Sequence, residues 1–578
     1  MNKIVLAALV LCLIFLIPLV WGNTTTYDAS LAEWVNLLPA VPNVGQSSTL
    51  TAKIRTPGKS ESLFAVFRSS KETVSYPLKD DGANGDKTAG DGIFTCIFPA
   101  QKAPGLWYCL VAEGQEESKR RYSIPQSFIV TEKETEYRAI WADSWNGGFL
   151  TREQAKNLVK TARDANLNTL IIEVRKAGDA CYKSAYEPRA SNLEDPSYDP
   201  LKYVIDLAHD TKEGEKRIEV HAWIVAYRIY KGKAEGGFPK APHILGKHPE
   251  WASTNSKGSQ WDDGSVYLDP GVPGVTDYNI DVCLDIIRKY DVDGINFDYI
   301  RYPAQGWGFN PTAVSRFKKL YHKTQSPSAN DPQWLAFQRE QVTHFLRKAY
   351  VKMIAEKPQL KVSVCTIGWG DIPNGDFLQT DSYAGVQDWP EWSRRHILDV
   401  NFRMGYKRQS EEKQKKQFEN WTRFTLGSQY FRLSTIGLGA YLNTLDGTLA
   451  QLKTARNYGA NGVAIYSYFS PTKESISRNS FYSNLKAQGF AGWKDVPPLA
   501  WKIANPNGIL AGTVYETNTP LDGTEISLPE MNLSTRTDGT GFYAFMDVPP
   551  GEFQVSMNGR IIGKKEIKSG QINTFDIR

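Results

Sequence analysis

A chain of 578 residues, 41% hydrophobic and 23% charged, is too long for one core and ordinary in composition for a globular protein, so two to four domains are expected. The formal net charge of +5 is small for this length and argues against a nucleic-acid partner. Six scattered cysteines exclude a disulfide scaffold, while 16 Trp, 28 Tyr and 25 Phe supply flat faces that hold sugars or fill barrel cores.

Taken in chain order, Lys3 precedes an unbroken apolar run over 4–21 with Pro18 near its end. This is the pattern of a Sec signal peptide over 1–22, cut after Gly22, although the run is also long enough for an uncleaved membrane anchor. No later stretch has the length and apolarity of a transmembrane span, so a secreted, periplasmic or cell-envelope location is expected. Residues 23–45 read as a linker with a short helical piece around 31–38. From 46 to 132 short alternating strands (STLTAKI, SLFAVFR, GIFTCIF, LWYCLVAE, QSFIVTE) predict an immunoglobulin-like β-sandwich. Cys96 and Cys109, in consecutive predicted strands, are candidates for a disulfide. The loop from Asp80 to Asp91 sets Asp80, Asp81, Asp86 and Asp91 among glycines. Such a loop either wraps a calcium ion or is Asp-Gly turn chemistry, and its spacing departs from that of an EF-hand.

Residues 136–490 alternate strand and helix. Strand candidates are 137–142, 169–174, 218–224, 294–299, 361–367, 400–404, 435–440 and 462–468. Between them lie amphipathic runs such as 152–165, 201–211, 338–355 and 448–458. Eight βα units predict an α/β fold, a (β/α)8 TIM barrel, flanked by a second β-sandwich over 504–578.

In such a barrel the carboxyl ends of all eight strands open on one mouth, so candidates follow strand by strand. Strand one ends at Asp143; strand two carries Glu173 and Arg175 on one face and leads into Asp179. Strand three carries His221 and Trp223 and runs to Arg228; strand four carries Asn296 and Asp298, then Arg301 and Tyr302. Later strands lead to Trp369, Tyr406 and Tyr441, with Tyr466 and Tyr468 closing strand eight. Carboxylates, arginines and aromatics without a Cys/His metal cluster fit glycoside hydrolysis, which needs one acid to protonate the leaving oxygen and one carboxylate to attack or activate water. The catalytic candidates are Asp298, Glu173 and Asp179; Arg175, His221, Trp223, Arg228, Asn296, Arg301, Tyr302, Trp369, Tyr406 and Tyr441 are the substrate-binding candidates. No metal or cofactor is expected in the barrel. Bland readings stand beside these: a Glu173–Arg175 structural pair, a core His221, turn chemistry at Asp179, and tyrosines as packing.

The stretches RAIWAD (138–143), EVRKAGDACYKSAYEP (173–188), YDPL (198–201), HAWIVAYR (221–228), LDPGVP (268–273) and VDGINFDYIRYP (292–303) together resemble the glycosyl-hydrolase-like family 10. The resemblance implies an exported bacterial barrel acting on glycans, with peptidoglycan strands stripped of peptides as the substrate class. It makes Asp298 the leading catalytic carboxylate and puts Asp179, His221, Arg228 and Tyr302 in shared positions. The chain departs from the family at Tyr299, usually a second Asp, at Glu173, usually Gln, and at Val225-Ala226, usually Asn-Pro. A carboxylate lost at 299 and one gained at 173 imply a rearranged acid/base pair, a different sugar, or a barrel that only binds carbohydrate. The last 70 residues or so resemble a carboxypeptidase-regulatory-like (transthyretin-like) module, which implies a spacer or attachment unit.

Overall fold

The computed structural model describes residues 27–55, 62–116 and 119–578, so the expected signal peptide over 1–22 lies outside the described residues. These form two compact units, one of 27–134 with 498–578 and one of 135–497. Among the described residues no helix is long and apolar enough to cross a membrane.

In the first unit β1 (Ala32–Leu38), β2 (Ser48–Ile54), β3 (Leu63–Arg68), β4 (Thr73–Pro77), β5 (Ile93–Phe98), β6 (Gly105–Glu113), β7 (Arg121–Tyr122) and β8 (Gln126–Val130) make two antiparallel sheets. Their orders are β1-β2-β5 and β4-β3-β6-β7, with β8 also on β6. Phe98 of the first sheet lies 4.6 Å from Phe67, 5.0 Å from Trp107 and 5.2 Å from Phe128 of the second, ring to ring, so the two faces share an aromatic core. The stretch expected as a linker with a helical piece is instead β1, registered on β2 from Ala32↔Ile54 to Leu38↔Thr49. The edge of β2 gives ladder partners to the backbone groups that face it and buries Leu37, whereas a lone short helix is marginal in water. Cys96 and Cys109, expected as a disulfide candidate, are free and buried on strands of opposite sheets.

Residues 498–578 add a sheet of Gly508–Thr513, Phe542–Val548 and Ile572–Thr574, and another of Glu525–Leu528, Leu533–Arg536, Gly551–Met557 and Arg560–Ile567. Expected as a separate module, this segment shares its core with the N-terminal one. Tyr27 and Ile124 pack against the cluster around Leu510, Ile526 and Tyr543, the Ala29 N–H donates to the Met531 carbonyl at 3.2 Å, and Asn507 Nδ2 donates to the Pro125 carbonyl at 2.8 Å.

The second unit is a closed barrel of eight parallel strands: β9 (Tyr137–Ala142), β10 (Thr169–Arg175), β11 (Glu219–Val225), β14 (Gly294–Asp298), β15 (Lys361–Ile367), β16 (Val400–Gly405), β17 (Leu433–Gly439) and β18 (Gly462–Tyr466). Between β11 and β14 a hairpin of β12 (Arg228–Lys231) and β13 (Ser265–Tyr267) stands beside the mouth's third strand. Helices begin where caps and prolines dictate: Thr151 accepts the Gln154 N–H at the start of Arg152–Asp164, and Asp199 precedes Pro200 at the start of Pro200–His209. The barrel's N-terminal end is closed by Lys361, whose Nζ lies 2.6 Å from Glu219 and 5.3 Å from the Tyr137 ring centre. Above it the His221 ring fits against Gly294, where an added Cβ would meet Nδ1 at 2.7 Å, and lies 6.4 Å from the Phe402 ring. These layers leave the C-terminal end of the strands for the site.

Candidate active site

Three carboxyl groups meet at that end. Glu173 lies in β10, level with Trp223 of β11, which is itself level with Asn296 of β14; Asp298 follows two residues on, facing the same way as Asn296. Asp143 directly follows β9. All three bear on the Tyr466 hydroxyl at the end of β18.

Glu173 is 1% exposed, and its Oε2 accepts the Ser144 N–H at 2.9 Å and the Ser144 hydroxyl at 3.0 Å. Burial pushes its carboxyl up to about 8, with the negative fields of Asp143 and Asp298 adding to the shift and the Ser144 donors opposing it. Asp298 is also raised by burial, but it is better supplied with compensating groups. Its Oδ1 accepts the Tyr299 N–H at 2.7 Å, its Oδ2 accepts the Trp223 indole N–H at 3.2 Å, and the Arg301 and Arg228 guanidinia favour its charged form. The arrangement therefore sets a carboxyl held protonated to about 8 beside one whose charged form is favoured by two N–H donors and two guanidinia, and glycoside hydrolysis uses two carboxyl groups in such unlike roles.

Aromatic rings wall this pair. Tyr406 and Tyr466 stack at 5.2 Å, Tyr441 meets Tyr466 edge-on at 5.7 Å, and Trp223 lies 6.4 Å from Tyr466. Tyr441, Trp369 and Trp145 reach the surface, 38%, 43% and 47% exposed, as rim platforms. Arg301 lies over both Tyr299 and Trp369, 4.9 Å from each ring centre, and Arg228 lies 3.8 Å over Tyr299 while donating to its hydroxyl at 2.6 Å. Below the pair, Asn296 donates to Ser363 at 2.9 Å and accepts from the Cys365 thiol at 3.1 Å, forming a polar floor.

Four expected site residues lie elsewhere. Arg175 does not share a face with Glu173: the register shifts between them, Arg175 pairs with Ile224, and its buried guanidinium binds Glu187 at 2.7 Å and the Val225 and Ala226 carbonyls. His221 sits one layer below the site, fully buried, 3.2 Å from Glu219. Tyr302 is buried beside Asp269 and Tyr227. Asp179 accepts the Ala177 N–H and lies 3.8 Å from Lys176, a turn carboxylate already matched by a cation. Asp143 and Tyr466, named from sequence at strand ends but given no role, and Ser144, not named, complete the site. Their signal was positional, at the ends of the first and last strands.

Away from the barrel, the carboxylates of Asp80, Asp86 and Asp91 bring one oxygen each to within 4.8 Å of one another. Part of their acceptor capacity is engaged by the loop: Asp80 takes the Gly90 and Gly92 N–H groups and Asp86 the Thr88 N–H. Asp81, expected in the same set, accepts the Ala83 N–H instead.

The sequence profile described as Glycosyl hydrolase-like 10 matches residues 136–426, half of the chain. Glycosyl hydrolase YngK of Bacillus subtilis (strain 168) is 26% identical over 283 residues, 45% of this chain and 52% of the relative. Glycosyl hydrolase DigH of Escherichia coli (strain K12) is 27% identical over 242 residues, 39% of this chain and 52% of the relative. The chain thus spans about half the length of the curated relatives it matches. Among solved structures, the catalytic domain of β-amylase from Paenibacillus polymyxa aligns with a TM-score of 0.43 at 10% identity, covering 62% of this chain and 99% of that one. With a profile match that runs from the first barrel strand through the sixth, the chain belongs to the glycosyl hydrolase-like 10 family.

Proposed function

We propose that this is an exported glycoside hydrolase that cleaves glycosidic bonds in a polysaccharide, with peptide-free peptidoglycan strands as the first substrate to test. The observation that carries the reading is the Glu173–Asp298 pair: one carboxyl buried and held protonated to about pH 8, the other bonded to two N–H donors and flanked by two guanidinia. Glu173 delivers its proton to the departing glycosidic oxygen as the C1–O bond breaks. Asp298 either attacks C1 or takes a proton from the water that does, and the product anomer distinguishes the two. Trp223 and Tyr299 hold Asp298, Ser144 holds Glu173, and the rim aromatics offer sugar platforms. In this reading 46–132 is an immunoglobulin-like module and 504–578 a carboxypeptidase-regulatory-like spacer or attachment unit. The Asp80–Asp91 loop is either a calcium loop or Asp-Gly turn chemistry: added calcium raises the first unit's melting temperature in the one case and leaves it unchanged in the other.

The test is a reducing-end assay on a glycan panel that includes peptide-free peptidoglycan. Wild type generates new reducing ends, and Asp298→Asn generates none while keeping its circular dichroism and melting profile. Unchanged cleavage by Asp298→Asn overturns the assignment. Binding without cleavage by wild type moves the protein to the carbohydrate-binding alternative.

A further inference from the structure

Beside Asp298 the mouth holds two positive charges that nothing nearby neutralises by contact. Arg228 spends Nη1 on the Tyr299 hydroxyl, and Arg301 spends Nη1 on the Tyr302 and Pro303 carbonyls. Neither guanidinium has an ion-pair partner among the described residues. Asp298 and Asp262 lie in the field of Arg301 without pairing with it. Both arginines are instead held in place by the electron-rich face of Tyr299, at 3.8 Å and 4.9 Å, and Arg301 also by Trp369. Tyr299 has φ of +47°, so the chain turns sharply at the residue after Asp298 and carries the ring to this place. An aromatic side chain here orients two guanidinia without cancelling their charge.

A neutral sugar gains little from two like charges held half-buried next to the reacting carboxylate. A carboxylate gains charge-assisted and potentially bidentate hydrogen bonds from the guanidinium N–H groups left over, with the exposed Trp369 face beside them for its ring. We infer that Arg228 and Arg301 make this mouth selective for a carboxylate-bearing sugar, either a uronate or a sugar with a free acid on an ether-linked arm. The inference rests on the glycosidase reading above for its substrate class, and its test reads binding separately from cleavage.

The full-length Glu173→Gln protein is the background, because that carboxyl is already uncharged at neutral pH and its replacement leaves the charge of the mouth intact. Calorimetry compares a glucuronate oligosaccharide, a peptide-free glycan fragment with free lactyl acids, and the carboxyl-reduced alcohol of each. At least one acid is expected to bind about tenfold to a hundredfold more tightly than its alcohol, with a preference that shrinks as salt rises. Which acid does so identifies the source. Adding Arg301→Gln, or separately Tyr299→Asp to set a fixed carboxylate against the arginines, brings the acid-to-alcohol ratio towards one. Equal binding of acid and alcohol, binding of neither, or a ratio that survives both changes overturns the inference. Cleavage by wild type without acid preference overturns it too and leaves the hydrolase reading standing. Acid-selective binding with no new reducing ends from any glycan sinks the hydrolase reading alone.

Discussion

At the scale of single residues, the site is a contest between burial and local donors at two carboxyl groups. Glu173 loses more to burial than Ser144 returns, so its carboxyl rises from 4.5 to about 8. In its proposed role of proton donor it must be protonated, so kcat/KM is expected to fall as pH rises through about 8, and an alkaline limb far below that value would remove Glu173 from the role. The same shift has a cost in stability. A folded-state pKa above the unfolded one contributes stability that is complete below about 4.5 and lost as pH rises through about 8. Glu173→Gln, which has no charge to bury, should therefore melt above wild type at pH 9, by an amount of the order of a few kcal/mol, while losing activity. Equal melting curves at pH 9 would show that the carboxyl is not buried as described. Asp298 was legible from its motif; the burial that sets Glu173 apart was not, and Asp143, which adds its field, was visible only as the end of a strand.

At the scale of elements, all eight barrel strands lie within two residues of their sequence positions, because apolar runs closed by Gly and followed by amphipathic helices have few other readings. What pattern could not reveal is the register shift in β10. A strict alternation puts Arg175 beside Glu173; one extra residue turns it outward to Glu187, where it ties the strand to the loop behind it. Arg175→Met strands the buried Glu187 charge and is expected to cost about 3–5 kcal/mol of barrel stability, read by denaturant unfolding. An Arg175→Met protein of native stability with a raised KM would return this arginine to the substrate. Strand β1 is a similar case in the other unit. Its residues carry no decisive period, and the free edge of β2 decided their conformation. Leu37→Ala, one residue from the end of that strand but fully buried, should cost about 2–5 kcal/mol, whereas in a solvated linker it would cost almost nothing.

For the whole molecule, the two segments outside the barrel are far apart in sequence and one unit in space. The sheets of 498–578 cover Tyr27 and Ile124, so neither segment has its full core alone. Deleting 498–578 is expected to lower the melting temperature of the 27–134 segment and to leave the barrel transition, seen as a separate calorimetric peak, where it was. Two unshifted transitions would mean that the segments are independent after all. The barrel has its own closed sheet and its own layers, which is why its stability is argued from its own residues.

The residues by themselves determined the barrel, its strand count, the family and the place of Asp298 at the end of the fourth strand, because those follow from local periodicity and from a motif contiguous in sequence. Tertiary structure alone decided which way Arg175 faces, that His221 and Tyr302 lie in the packing, that Asp143 and Glu173 share a field, and that residues 27–134 pack against 498–578. Those outcomes depend on register between strands and on burial, which are set by partners distant along the chain.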